Sequence, residues 1–88
     1  MFSYQLVGKA VKNLRRFDKI TADKIVREIK NMCLSAHPIQ HRHVKKLSGY
    51  ATRYRLHVGL HNIAVFDIIK TENLIRVIEI STRENIRY

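Results

Sequence analysis

The run Tyr54-Arg55-Leu56-His57-Val58-Gly59 alternates apolar and ionisable side chains, and an extended backbone sends successive side chains to opposite faces. A strand here places Tyr54, Leu56 and Val58 on one face and Arg55 and His57 on the other. A guanidinium beside an imidazole suits phosphate chemistry, because the cation stabilises charge building on phosphorus while neutral imidazole accepts a proton. Neighbouring cations disfavour protonation of His57, which keeps it in the form a general base requires. Near the other end of the chain, Arg83 and Tyr88 add a second cation and a phenol able to stack on a base or donate to a leaving oxygen. The competing reading is an ordinary solvated strand face, with Arg55 and Arg83 paired to Glu79 or Glu84 and Tyr88 packed on a sheet edge.

Charge points the same way. The chain has 17 Lys+Arg against 7 Asp+Glu in 88 residues, a formal net charge of +10. Lys and Arg that neutralise phosphates release condensed counterions, so a chain of this sign is drawn to polyanions. An anionic protein partner or an acidic membrane surface would answer the same charge. No apolar run is long enough to span a bilayer and no basic-then-apolar leader precedes the chain, which predicts a cytoplasmic protein with no membrane partner. The single Cys33 has no partner for an internal disulfide, so packing alone must hold the fold. Length allows one domain over residues 1–88 and one modest core.

The elements that must position the strand follow from periodicity. Phe2, Tyr4 and Leu6 alternate with polar residues, as in a short first strand. Val7, Ala10, Val11, Leu14 and Phe17 recur at helical spacing with Lys9, Lys12, Arg15 and Arg16 around them. Thr21 is the expected N-cap of a second helix, with Ile20 and Ile25 stapled across the cap. Ile25, Ile29, Met32, Cys33 and Ala36 form its apolar stripe, and Pro38 forbids continuation past His37. Residues 37–52 are polar and basic and read as a loop. Tyr54–Val58, Ile63–Ile69 and Leu74–Ile80 read as strands, the last two joined by a turn at Thr71-Glu72-Asn73. The order β-α-α-β-β-β makes an α+β domain, a helical hairpin on a mainly antiparallel four-stranded sheet. The last two strands are nearly continuous in Ile, Val, Leu and Phe, so both their faces need cover. The hairpin covers one face, which leaves the other to the C-terminal tail or to a protein partner.

Cys33, His37, His41 and His43 offer soft and imidazole ligands close together, but the spacing matches no zinc motif, and Pro38 breaks the helix that would align them. No metal and no cofactor are expected. The alternative is a basic loop whose Arg42, Lys45 and Lys46 touch RNA phosphates, joined by Lys9 and Lys12 of the first helix and by Arg53 and His61 beside the candidate strand. Such contacts position without reading sequence and predict a steep salt dependence.

The helix pair Lys9–Ala36, the Lys46-Leu47-Ser48-Gly49 element, the Tyr54–Gly59 strand and the ending Ile78–Arg83 with Tyr88 together resemble the RelE/ParE toxin superfamily, over nearly the whole chain. The resemblance implies a toxin neutralised by a cognate antitoxin in a hetero-oligomeric complex, the toxin itself a monomer. It further implies a metal-independent, ribosome-dependent mRNA endonuclease that inhibits translation by attack of the ribose 2′-OH on the adjacent phosphate. The ribosome and mRNA are then partners, and Arg55, His57, Arg83 and Tyr88 are the catalytic set. The chain departs from the family where a Tyr-Arg pair commonly follows the glycine, since His61-Asn62 stands there. That absence of a cation leaves two alternatives: a ParE-like inhibitor of DNA gyrase without nuclease activity, or a catalytically decayed toxin.

Overall fold

The computed structural model describes residues 1–41 and 43–82. The elements are β1 (Ser3–Leu6), α1 (Gly8–Arg15), α2 (Lys19–Leu34), β2 (Val44–Lys46), β3 (Arg53–Val58), β4 (Asn62–Ile69) and β5 (Leu74–Thr82), with single 3-10 turns at Pro38–Gln40 and Lys70–Glu72. The strands form one five-stranded sheet in the order β1-β5-β4-β3-β2. β1 lies at one edge and β2 at the other, so the helices must carry the chain across a sheet face between them. From β2 the chain returns by three antiparallel steps and lays β5 parallel to β1.

The α+β class and the hairpin on a sheet agree with the expectation, and the sheet has one strand more than the four expected. The extra strand lies inside the segment read as a loop. Val44–Lys46 is three residues long and mostly charged, too short to show alternation. It forms because β3 offers a partner: Val44 pairs with Leu56, Lys45 with Arg55 and Lys46 with Tyr54. Lysines on a short edge strand also oppose further strand addition.

The helix cap differs as well. Asp18, not Thr21, is the N-cap of α2, and its carboxylate accepts from the Thr21 N–H at 3.3 Å. The Thr21 hydrogen bonds hold the Asp18 carboxyl below its usual value. The predicted staple is absent, since Ile20 is 81% exposed. Asp18 is the better cap because Phe17 and Ile20 then fall on either side of the break, and helical geometry begins a turn earlier.

Ile25, Ile29, Met32 and Cys33 bury against Leu56, Val58, Ala64, Phe66, Ile75, Val77 and Ile80 in one core between helices and sheet. Ala36 is exposed, beyond the end of α2. Burial raises the Cys33 thiol to about 11. The register slips between Val65 and Phe66 of β4, whose partners on β5 are Glu79 and Val77, so Ile78 is an extra residue. This bulge shifts the alternation by one: Ile75, Val77 and Ile80 reach the core, and Glu79 is spared burial there. Where β1 ends, α1 takes over the exposed edge of β5, and Asn13 Oδ1 accepts from the Ile80 N–H at 3.0 Å.

The sheet face away from the helices is partly closed by the chain itself. Leu47 folds over it and packs with Ile63, Val65 and Ile78 in a second small cluster. The sequence reading assigned this cover to the C-terminal tail or a partner; Leu47 supplies part of it.

Candidate functional site

Cross-strand register arranges the open face in rows, because residues paired at Cα project to the same side. The first row runs Lys45, Arg55, Val65 and Glu79; a second runs His57, Ile63 and Ser81; a third runs Arg53, Asp67 and Arg76. Leu56 and Val58 point the other way and are buried, so Arg55 and His57 sit on the open face as the alternation predicts. Both are half-buried. The His57 N–H donates to the His43 carbonyl at 2.9 Å, which extends the pairing of β3 beyond β2 and fixes the backbone under the imidazole.

Two carboxylates of this face hold cations. Asp67 receives a bidentate pair from Arg53, Nε to Oδ1 at 3.0 Å and Nη2 to Oδ2 at 3.1 Å. That hydrogen-bonded pairing raises the Arg53 pKa further. Glu79 takes Lys9 Nζ at 3.2 Å. Two residues expected among the RNA-contacting cations, Arg53 and Lys9, are thus each tied to a carboxylate, Lys9 while remaining largely exposed and Arg53 while half-buried. Lys45 stands beside Arg55 and is exposed, as are Lys12, Lys46 and His61.

His41 and His43 have ring centroids 6.3 Å apart, whereas Cys33 is buried in the main core. Among the described residues no group of three or more His, Cys, Asp or Glu side chains gathers around a common point. No described helix is long and apolar enough to cross a membrane. Arg42, Arg83 and Tyr88 lie outside the described residues. Asn62 opens β4 opposite Val58 and Thr82.

Three residues of this face escaped the sequence reading. Leu47 carries no sequence signal beyond its place in the Lys46–Gly49 element. Asp67 was a visible signal, a lone acid in the apolar run Ile63–Ile69 on the Arg53 side of the alternation. Tyr50 lies with the Arg53 guanidinium 4.8 Å from its ring centroid, a contact that nothing in the spacing announces.

The turn into β4 depends on Gly59, whose φ is +64° and whose missing Cβ would stand 3.3 Å from Lys24 Nζ on α2. An L side chain there is strained by the dihedral and crowded by the lysine. Asn73 makes the corresponding left-handed step between β4 and β5, a conformation Asn tolerates better than most residues.

No protein-family model and no curated protein matches this chain. Solved structures do. The isolated RelE toxin of E. coli superposes with a TM-score of 0.79 at 15% identity, covering 99% of this chain and 89% of that one. The toxin–antitoxin complex RelBE of E. coli gives 0.76 at 16% identity over 92% of this chain and 95% of that chain. The archaeal RelE-RelB complex of Pyrococcus horikoshii gives 0.75 at 17% identity over 97% and 98%. Likeness of shape at this coverage, with the helical hairpin crossing one face of the sheet, gives the chain the fold of the RelE toxins.

Proposed function

We propose that this chain is the toxin of a toxin–antitoxin pair and acts as a ribosome-dependent mRNA endonuclease. The observation that carries the reading is the open-face row of Lys45 and Arg55 with His57 beside it. In the proposed reaction His57 removes the proton of a ribose 2′-OH, and the oxygen attacks the adjacent phosphorus. Arg55, with Arg83, stabilises the added negative charge, and Tyr88 donates to the leaving 5′-oxygen. A 2′,3′-cyclic phosphate and a free 5′-hydroxyl result. No metal ion is required by this scheme, because positioned cations replace Lewis-acid stabilisation. Lys9, Lys12, Arg42, Lys45, Lys46, Arg53 and His61 are proposed to contact phosphates of message and ribosomal RNA.

The solved complexes are of RelE with RelB, which supports an antitoxin as the partner here. Exposed Met1, Leu34 and Ile39 give such a partner apolar surface to cover. The proposed place of action is the cytoplasm, where ribosome and message meet.

The test is expression in a cell-free translation system followed by primer extension on the message, with and without ribosomes. Cleavage confined to translated regions supports the endonuclease; intact message with normal translation overturns it. The second reading rests on Asn62, which stands where a cation is common in RelE-like toxins: a ParE-like gyrase inhibitor, or a toxin that has lost its chemistry. DNA double-strand breaks with intact message support the gyrase reading, and gain of cleavage by Asn62→Arg supports the decayed one.

A further inference from the structure

Tyr50 is exposed, aromatic and held in place on the basic side of the sheet, and the chemistry proposed above makes no use of it. It belongs to the connection between β2 and β3, which is tied down along its length. The Leu47 N–H donates to the Arg53 carbonyl at 3.0 Å, the Tyr50 N–H to the Leu47 carbonyl at 3.4 Å, and the Thr52 carbonyl accepts from the Ile68 N–H at 3.1 Å. Leu47 is buried on Ile63, Val65 and Ile78 and so pins the connection to the open face.

The ring is oriented by a relay. Asp67 grips the Arg53 guanidinium in two hydrogen bonds, and that guanidinium lies 4.8 Å from the Tyr50 ring centroid. One side of the ring therefore rests on a fixed cation, while 40% of the residue remains exposed. Beside it an open hollow of about 550 Å³ is lined by Lys46, Leu47, Ser48, Gly49, Tyr50 and Ala51. A ring held this way has less freedom to lose on stacking than a mobile one.

We propose that Tyr50 is a stacking platform for a nucleobase of single-stranded RNA, adjacent to the phosphate-binding row at Arg55. The proposal rests on the RNA reading of this face. Arg53 and Arg55 are two residues apart on one strand face, about 7 Å, so a strand crossing Arg55 has its neighbouring base within reach of the ring beside Arg53. Single-stranded RNA is the class of ligand, because bases in a duplex have their faces already stacked. Every base has a π-face, so the platform adds affinity with little sequence preference.

The experiment compares the chain's affinity for a labelled RNA of about eight nucleotides and for an abasic ribose-phosphate strand of the same length and charge, by fluorescence anisotropy at fixed salt. The base-bearing RNA is expected to bind more tightly. Tyr50→Leu is expected to weaken that RNA about tenfold and leave the abasic strand unchanged, with Tyr50→Phe close to the parent. Tyr50→Trp gives a second readout, since the chain contains no other Trp: quenching of the indole by the base-bearing RNA and not by the abasic strand supports the platform. Equal weakening of both ligands by Tyr50→Leu, no weakening of either, or an unquenched indole overturns it while leaving RNA binding intact. If the parent chain binds neither ligand, the RNA reading of the face fails and the platform with it.

Discussion

The two faces of the sheet are made by the same strands and have opposite chemistry. On the helix side, β3, β4 and β5 contribute Leu56, Val58, Ala64, Phe66, Ile75, Val77 and Ile80 to a continuous core. On the other side the same strands contribute Arg53, Arg55, His57, Asp67 and Arg76, with a small apolar patch under Leu47. The helix side needs complementary volume; the open side needs charge in fixed places. Strand alternation couples them, since each residue that anchors the core sets its neighbours on the open face. Stability and proposed activity therefore have separate addresses on neighbouring positions, and substitutions one residue apart should separate them.

The largest effect belongs to the helix side. Phe66 is fully buried and stacks on Tyr54 with ring centroids 5.9 Å apart. Truncation by Phe66→Ala is expected to cost about 3–5 kcal/mol, a large share of what a small domain has. Urea unfolding followed by circular dichroism measures it. A loss below about 1 kcal/mol would mean that the core between helices and sheet collapses readily around the gap, and the contrast between the faces would weaken.

The open side is expected to respond in the other observable. Arg55→Ala should lower ribosome-dependent cleavage on the order of a hundredfold, the scale for a preorganised electrostatic donor, with a smaller loss of stability than Phe66→Ala. His57→Gln should suppress cleavage and remove the fall in rate that acid produces as the imidazole protonates. Primer extension at several pH values, beside the unfolding curves, gives both readouts. Parallel loss of folding and activity in Arg55→Ala would make that side chain structural, and a rate independent of pH in the parent would remove His57 as the base.

What could be read in the sequence follows the strength of each local signal. The buried stripe of α2 and the face assignment of β3 were legible because periodicity requires several residues to agree. The strand Val44–Lys46 was not, because its formation depends on partners eight to twelve residues further along the chain, and short edge strands carry weak patterns. The β5 bulge at Ile78 left one mark, Arg76 and Glu79 three residues apart where strict alternation requires an even spacing for one face, but register was needed to place both on the open face. On the open face, the types Arg55 and His57 were visible, but the commitment of Arg53 to Asp67 and of Lys9 to Glu79 needed register and topology. Side-chain type indicates what a residue can do; pairing decides what it is occupied with.

Cys33 tests the closed side by pH. It is buried on α2 against the sheet, and loss of solvation raises its thiol from the ordinary 9.0 to about 11. The raised value means that the folded state favours the protonated thiol. Its contribution is fully present below pH 9, where the unfolded chain's thiol is also protonated, and is lost as pH rises from about 9 through about 11. The linkage amounts to about 2–3 kcal/mol at the alkaline limit. Comparing Cys33→Ala with the parent isolates it from the titration of lysines and tyrosines: the difference in stability between the two should shift against the parent across that window. A difference that stays constant with pH would place the thiol in contact with solvent.

The smallest effect is the most discriminating, because it sets two ends of β3 against each other. Arg55 stands in the row of Val65 and Glu79, and Arg53 is held by Asp67 in its own row. Asp67→Asn keeps the volume and removes the charge, so it releases the Arg53 guanidinium from its ion pair. The half-buried pair is part-screened by water, and its loss should lower stability by about 1 kcal/mol. The same change leaves the Arg53 cation without its carboxylate, so the slope of log affinity for RNA against log salt should steepen by about one. Stability and polyanion binding thus move in opposite directions from one substitution. If both fall together, Arg53 serves RNA through the geometry that Asp67 imposes rather than through its charge, and the open face works as a shaped surface more than as a field.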